Sequence, residues 1–198
     1  MARPSKKTQL LAGGTETVRR LGLTGASVRD ITTGAGVPLG SFSNHFASKE
    51  AFGLEVLDGY FGDVLTIVAT TLEDETRPPL ERLRAYFDAV TARLENRGWR
   101  DGCLIGNTSL DSTEHSELLR NRIAEYFARW REPFARCLED AVAAGDVRPT
   151  VPVLDLADFL LASWHGAILR MKVERDPEPL ERFKAVVFTT VLAPRPDR

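Results

Sequence analysis

The chain has 198 residues, of which 43% are apolar and 27% are charged. This composition is typical of a globular protein and excludes the disordered and fibrous classes. The net charge of −2 is unevenly distributed, because residues 1–50 carry a net charge of +4 and residues 51–198 carry −6. The asymmetry favours a small polyanion-binding head on a body that has a different role.

Helical periodicity runs along the chain, and no stretch sustains the alternation of a half-buried strand. The first three predicted helices cover residues 6–21, 28–35 and 38–45. Ser27 is a suitable N-cap for the second helix, and Gly36 is suited to end it. Gly13 and Gly14 lie inside the first helix, where the sequence offers no reason for them.

Six further helices are predicted over residues 49–72, 78–96, 104–112, 114–144, 152–174 and 177–192. The fold class is therefore all-α with about nine helices. A head of three helices is expected to precede a larger helical body. The expected domain boundaries are 1–50 for the head and 51–198 for the body.

Two short helices joined by a glycine-containing turn, following a longer helix, are typical of a DNA-binding helix-turn-helix. Ile31, Phe42 and Phe46 are expected to face inward. The outward face of the third helix then carries mainly short side chains, which permit close approach to the major groove: Leu39, Gly40, Ser41, Ser43 and Asn44. A helical hairpin buried in a bundle is the alternative, and the local positive charge argues against it.

Residues 27–52 closely resemble the N-terminal signature of the TetR family of transcriptional regulators. The matching elements are Ala-Gly-Val, Gly-Ser-Phe, His-Phe and Ser-Lys-Glu, at the spacing of the family. Two departures matter, because the family usually has Tyr in place of Ser43 and often Lys in place of Leu39. Both positions commonly touch the DNA backbone in relatives, so the salt-dependent part of the affinity is expected to be weaker here.

The resemblance implies contacts with double-stranded operator DNA. Ser27, His45 and Lys49 are the expected phosphate contacts. The expected base-reading positions are Leu39, Ser41, Ser43 and Asn44, with Gly40 beside them on the same face. Arg3, Lys6 and Lys7 are expected to form a mobile arm on flanking phosphate or in the minor groove.

The last two predicted helices are suited to dimerisation. Helix 152–174 is apolar on several sides, and a helix that is apolar all round must be buried all round. A buried monomer core is the alternative explanation of this pattern. The family resemblance, in which these two helices form a four-helix dimer interface, favours a homodimer through residues 152–192.

The resemblance also implies an effector cavity for a small organic molecule among the middle helices. Its candidate lining consists of large aromatic residues with two polar groups: Phe61, Phe87, Trp99, Phe127, Trp130, Trp164, Asn107 and His165. Ordinary core packing is the alternative for each of them.

Cys103 lies in a Gly-Cys-Leu-x-Gly-Asn element, and a Trp-His-Gly-Ala element begins at Trp164. Both resemble a TetR subgroup that includes the repressors responding to N-ethylmaleimide and acrylate. In the electrophile-responsive relatives the matching cysteine is the reactive one. Arg97, Arg100 or a helix N-terminus near Leu104 is expected to lower the pKa of the Cys103 thiol. One alternative is non-covalent recognition of a ligand by the same region. Another is a small buried hydrophobe, as expected for Cys137.

The leading prediction is a homodimeric regulator, usually a repressor, that a small molecule or electrophile releases from DNA. A DNA-binding regulator without an effector is one alternative, and a small all-α enzyme using Cys103 or His165 is another. No nucleophile elbow, phosphate loop or metal pattern supports enzyme activity, so no catalytic residue, metal or cofactor is predicted. Two cysteines and no secretory or membrane-spanning segment favour the cytoplasm and no membrane partner.

Overall fold

The computed structural model describes residues 5–112 and 114–193, and within these ranges all the regular secondary structure is helical. The predicted all-α fold is confirmed. The described helices are α1 (Lys6–Leu21), α2 (Val28–Gly34), α3 (Gly40–Ser43), α4 (Lys49–Thr70), α5 (Pro79–Glu95), α6 (Leu104–Asp111), α7 (Glu117–Ala143), α8 (Val153–Glu174) and α9 (Glu178–Val186). A π-helical segment, Val187–Val191, continues α9. In the part of the chain that is described, no helix has the length and apolarity needed to span a membrane.

Local capping explains why α1 has the predicted bounds. The Ser5 hydroxyl accepts a hydrogen bond from the Thr8 amide at 3.1 Å and so satisfies one free donor of the first turn. At the other end Gly22 adopts a φ of 77°, which glycine tolerates without strain, and its amide donates to the Val18 carbonyl at 2.8 Å. The helix therefore begins and ends where its sequence signals stand.

Helix α3 is shorter than the predicted 38–45 segment. Four residues form the α-helix, and the turn that precedes it is tighter, with the Ser41 amide donating to the Pro38 carbonyl at 2.9 Å. One α-type bond follows, from the Phe46 amide to the Phe42 carbonyl. The predicted limits are wrong by about one turn in total, because irregular turns flank the regular core of this element.

The Cα positions divide into two compact units. The first consists of residues up to Gly62 together with Leu104–Glu125, and the second consists of Asp63–Cys103 together with residues from Tyr126 onward. Helices α4 and α7 each contribute residues to both units. The first unit therefore contains α1, α2, α3 and α6, and the second contains α5, α8 and α9.

The two glycines inside α1 permit a close approach of α2 and of Phe52 on α4. A Cβ atom on Gly13 would lie 2.5 Å from the Ala35 Cα and 2.6 Å from the Gly34 carbonyl oxygen. A Cβ atom on Gly14 would lie 2.5 Å from the ring of Phe52. Only a residue without a side chain fits at these two positions, which explains a pair that is unfavourable for an isolated helix.

Each unit has its own aromatic core. In the first unit Phe42, Phe46 and Phe52 form a triangle with ring centroids 5.1–5.6 Å apart, which fixes α3 against the start of α4. In the second unit the Phe87 ring lies 4.9 Å from Trp164 and 5.0 Å from Phe183. These contacts join α5 to α8 and α9 and bury the aromatic side chains that dominate the core energy.

Candidate functional site

The exposed face of α3 and its flanks carries most of the predicted base-reading residues. Leu39, Gly40, Ser43 and Asn44 are all exposed, with half of the Leu39 surface accessible. His45 is exposed directly after them. The Ser43 hydroxyl donates to the Gly40 carbonyl at 3.2 Å within this short turn. Apart from Leu39 the side chains here are small or polar, so the backbone of α3 has room to approach another molecule closely.

Ser41 does not belong to this face. Only 4% of its surface is accessible, so its predicted outward orientation is wrong. The inward face of a helix covers at least about 100°, which is the angle between successive residues. Ser41 therefore points toward the core together with its neighbour Phe42.

The Ser27 side chain caps the N-terminus of α2. Its hydroxyl accepts from the Asp30 amide at 3.1 Å, and the Asp30 carboxylate accepts from the Ser27 amide at 2.9 Å, which completes a capping box for α2. The Ser27 hydroxyl and amide lower the pKa of the Asp30 carboxyl below its ordinary value. The residue remains exposed, so a phosphate contact at Ser27 stays a prediction.

Lys49 lies at the first position of α4 and binds the turn between α1 and α2. Its Nζ donates to the Thr24 carbonyl at 3.0 Å and to the Ala26 carbonyl at 3.1 Å. An ammonium group has three donors, and these two bonds use two of them. The ammonium charge therefore lies at the turn that precedes the Ser27 cap, and its predicted phosphate contact is untested.

The predicted mobile arm is wrong for two of its three members. Lys6 and Lys7 lie in the first turn of α1, which the Ser5 cap starts. The Lys7 ammonium is 2.8 Å from the Glu55 carboxylate and 5.6 Å from the centre of the Phe46 ring. Arg3 lies outside the described residues.

The predicted effector residues are divided between the two units. Asn107 is half-buried on α6 in the first unit, and Phe61 is buried on α4 in the same unit. The second unit contains Phe87, Trp99, Cys103, Phe127, Trp130, Trp164 and His165. Trp99 has a positive φ of 58°, and its carbonyl accepts from Arg175 at 3.3 Å.

Cys103 and His165 form the polar centre of the candidate effector site. The Cys103 side chain is 7% accessible and directly precedes α6, while His165 lies on α8. Burial opposes the imidazolium form, but the Cys103 thiol and the Leu161 carbonyl favour it, and the net effect raises the pKa of His165. The Cys103 thiol therefore influences the imidazole electrostatically from a distant part of the sequence, which periodicity alone does not predict.

Aromatic rings enclose the imidazole. The His165 ring lies edge-on to Trp130 at 5.0 Å and to Phe127 at 5.7 Å between centroids. The Trp130 indole nitrogen donates to the Tyr86 hydroxyl at 2.8 Å. Burial strongly raises the pKa of Tyr86, so its phenol stays neutral, and Cys103 acts on it in the same direction. We define Cys103, His165, Tyr86, Trp130 and Phe127 as the thiol–imidazole cluster.

Sequence reasoning did not identify Tyr86. Its neighbour Phe87 is a predicted lining residue, but the hydrogen bond that makes Tyr86 part of the cluster connects residues 44 positions apart. One indirect signal was present, because a buried Trp nitrogen needs an acceptor and a tyrosine hydroxyl can supply one.

The second cysteine, Cys137, lies in the core and outside the thiol–imidazole cluster. Cys137 is buried, its thiol donates to the Pro79 carbonyl at 3.3 Å, and burial raises its pKa to about 11. Its expected role in the core is confirmed. The guanidinium of Arg97, one of the groups expected to activate Cys103, forms an ion pair with Asp101.

A groove between α8 and the α9 region leaves apolar side chains exposed. Its volume is about 360 Å³. Phe159 is 51% accessible and Val186 is 49% accessible, whereas Leu160 and Trp164 of α8 are buried within the chain. Along the groove lie Ser163, Gly166, Ala167, Arg170, Pro179, Arg182, Phe183, Val187 and Val191. The chain therefore covers only part of the apolar surface of α8.

Comparison with known proteins gives one consistent result. Residues 79–187 match the family described as "Tetracyclin repressor-like, C-terminal domain". The chain is 44% identical over 192 residues to the HTH-type transcriptional repressor DhaR of Mycobacterium sp. strain GP1, covering 97% of this chain and 95% of that protein.

Solved structures agree over nearly the whole length. The regulatory protein TetR from Rhodobacter sphaeroides superimposes with a TM-score of 0.87 at 28% identity, covering 92% of this chain and 96% of that one. The reduced form of Escherichia coli NemR superimposes with a TM-score of 0.81 at 26% identity, covering 97% and 100%. The resemblance found in residues 27–52 thus extends to the complete fold.

Proposed function

The chain belongs to the TetR family of transcriptional regulators, and on this basis we propose that it is a repressor that binds a palindromic operator as a homodimer. A small organic effector or an electrophile releases it from the DNA. The observation that carries the proposal is the exposed face of α3, where Leu39, Gly40, Ser43 and Asn44 are accessible together. The protein is expected to act in the cytoplasm, where its operator lies.

Residues 1–50 form the DNA-binding domain in this proposal. Helix α3 enters the major groove, and its small side chains let the helix backbone come close to the base edges. Lys49 and the Ser27 end of α2 face phosphate, and His45 adds a further contact. Since Leu39 and Ser43 cannot supply the backbone contacts of Lys and Tyr, shape and close approach contribute more to specificity.

Residues 51–198 serve dimerisation and sensing. A single helix-turn-helix reads too few base pairs for useful specificity, so two copies bind half-sites about 34 Å apart or a multiple of that distance. The groove of α8 and α9 suits such pairing, because a second copy would cover Phe159 and Val186. A two-fold interface uses the same patch on both subunits.

The thiol–imidazole cluster is the proposed effector site. Buried aromatic walls with a few polar groups suit a small organic molecule, and Cys103 offers a nucleophile for an electrophile. Trp164 and Phe87 pack against each other in the same unit. The effector controls DNA binding only if the DNA-bound and free conformations have different affinities for it.

Selection of bound sequences from random DNA with the purified chain tests the proposal. We expect enrichment of one inverted repeat. In a gel-shift assay this DNA should be retarded by a protein species with the mass of a dimer, and acrylate should weaken the binding of the protein to it. Enrichment without a response to any effector favours a regulator without a ligand. Failure to enrich any sequence at low salt contradicts DNA recognition by α3.

A further inference from the structure

The exposed face of α3 has no lysine or arginine with which to read guanine. Residues 30–48 contain neither of these two residue types. Lys49 follows them, and its ammonium group already donates to two carbonyl oxygens of the turn between α1 and α2. Paired hydrogen bonds from arginine or lysine to guanine are the commonest specific contact in the major groove. Because α3 cannot make this contact, its other exposed side chains have to select the bases.

Leu39 is the largest exposed apolar side chain on this face. Half of its surface is accessible. Exposed leucines also occur elsewhere, such as Leu110 on α6 with 76% of its surface accessible, so exposure alone indicates no function. Leu39 differs from Leu110 in its position, because it directly precedes the small residue Gly40 on the face that is proposed to enter the major groove.

The backbone on both sides of Leu39 is held in place by the core. Leu39 has helical dihedral angles, φ −51° and ψ −45°, and follows a proline, whose own φ is restricted. Its carbonyl oxygen accepts from the Phe42 amide at 3.2 Å, and the Pro38 carbonyl oxygen accepts from the Ser41 amide at 2.9 Å. Phe42 and Ser41 are both buried. The direction in which the Leu39 side chain leaves the backbone is therefore fixed before any DNA binds, which lowers the entropy cost of binding.

The space beside Leu39 is open. A Cβ atom on Gly40 would meet no atom of the chain within 4 Å. Since glycine has no side chain, the backbone at this position can approach another molecule closely. Such an approach brings the isobutyl group of Leu39 within contact distance of a base edge.

We infer that Leu39 selects thymine in the operator by packing against its C5 methyl group in the major groove. Thymine is the base that presents an apolar group at this edge. Leucine has no hydrogen-bonding group, so packing it against guanine, adenine or cytosine would desolvate polar atoms without replacing their hydrogen bonds. The inference rests on the proposed function, because it names the base that one residue of the recognition face selects.

The size of the effect follows from the area of one methyl group. Burial of one such group changes an affinity about fourfold, which corresponds to about 0.8 kcal/mol. A homodimer on an inverted repeat makes the contact once in each half-site, so loss of both methyl groups should weaken binding about 15-fold. The contact is uncharged and should not change the salt dependence of binding.

The test uses the full-length chain and the inverted repeat selected from random DNA. Deoxyuridine replaces each thymidine in turn, at the symmetric positions of both half-sites, which removes the methyl group and keeps the base pair. Fluorescence anisotropy measures the dissociation constant. In the wild type we expect a rise of about 15-fold at one symmetric pair of thymines. In L39A the unmodified operator should bind more weakly, and uracil at the same pair should cost about twofold or less.

Two further variants provide the controls. L110A removes an exposed leucine from α6 and should keep the wild-type sensitivity to uracil. L39K places a cation at the same position and should also remove this sensitivity. It should instead steepen the plot of log affinity against log salt concentration by about two for a dimer, because each lysine neutralises one phosphate. If L39K leaves both the uracil sensitivity and the salt dependence unchanged, Leu39 does not face the DNA and the inference fails.

Two results with uracil overturn the inference and leave the proposed function intact. One is a wild-type protein that binds the inverted repeat equally well with uracil at every position. The other is a sensitivity to uracil that persists in L39A, since another group, such as the exposed Pro38, or a change in duplex flexibility then explains it. If the wild type selects no DNA sequence, the proposed function fails and the inference fails with it.

Discussion

Replacement of Gly13 by alanine is expected to destabilise the head although it improves helix propensity. The added Cβ would lie 2.5 Å from the Ala35 Cα and 2.6 Å from the Gly34 carbonyl oxygen. Carbon atoms prefer separations of about 3.5–4.0 Å, so α1 and α2 must separate by about 1 Å. Both neighbours are backbone atoms and cannot rotate away.

The magnitude follows from two opposing effects. Alanine in place of glycine inside a helix gains at most about 1 kcal/mol. Forcing an extra carbon into a filled interface costs about 1–3 kcal/mol, and a rigid backbone contact lies toward the upper end. We therefore expect a net loss of about 1–2 kcal/mol in the free energy of unfolding of the head.

Gly59 provides the matched control. It lies inside α4, is exposed, and a Cβ atom there would meet no atom within 4 Å. Gly59→Ala should therefore stabilise the chain by about 0.5–1 kcal/mol. The effect of a glycine-to-alanine substitution on the free energy of unfolding thus has opposite signs in α1 and α4. At Gly13 another helix occupies the position of the new carbon, whereas at Gly59 that position is open.

Hydrogen exchange followed by mass spectrometry is the suitable assay. The three tryptophans, Trp99, Trp130 and Trp164, lie in the second unit, so their fluorescence does not report on α1. Amides of α1 and α2 should exchange about 5- to 30-fold faster in Gly13→Ala, corresponding to about 1–2 kcal/mol. Unchanged or slower exchange in these two helices would refute the packing argument.

Three further predictions follow from the same contacts. Phe159→Glu should raise the dissociation constant of a dimer at least about 30-fold in sedimentation experiments, since a central aromatic residue contributes about 2 kcal/mol, whereas Val142→Glu, outside the groove, should not. Tyr86→Phe removes the acceptor of the 2.8 Å Trp130 bond and should lower the stability of the second unit by about 1–3 kcal/mol in urea titrations followed by tryptophan fluorescence; an unchanged midpoint contradicts this. The pKa of Asp30 is lowered in the folded state, first by the Ser27 hydroxyl, so its contribution is present above pH 3.8 and is lost as the pH falls through the folded value. Protection of α2 from hydrogen exchange should therefore decrease in acid in the wild type, and Asp30→Asn should reduce that pH dependence.

The head shows how far local signals extend. Ser5 and Gly22 delimit α1, and Ser27 with Asp30 delimits the start of α2, because caps act through bonds between neighbours in sequence. The predicted outward orientation of Ser41 is wrong because it rests on such local signals alone. Local patterns place residues on a helix, but the width of the covered face depends on what packs against it.

The thiol–imidazole cluster shows where local signals end. Cys103 and His165 each belong to a recognisable element of sequence, yet the thiol that acts on the pKa of His165 lies 62 positions away. The Trp130–Tyr86 bond joins residues 44 positions apart. Nothing in the spacing of either element indicates that the thiol acts on the imidazole. The resemblance to a TetR subgroup points to both elements, but only folding of the chain places Cys103 and His165 in the same unit.

Local sequence signals predict the helical fold, most helix boundaries, the family and the positive head, because periodicity, caps and charge are properties of neighbouring residues. Only tertiary packing explains why Gly13 and Gly14 stand inside α1, why Ser41 is covered, and why Trp130 bonds to Tyr86. These features depend on distances between backbones and side chains that are remote in sequence. Helix periodicity predicts which face of each helix is apolar, whereas tertiary packing determines which residues contact that face.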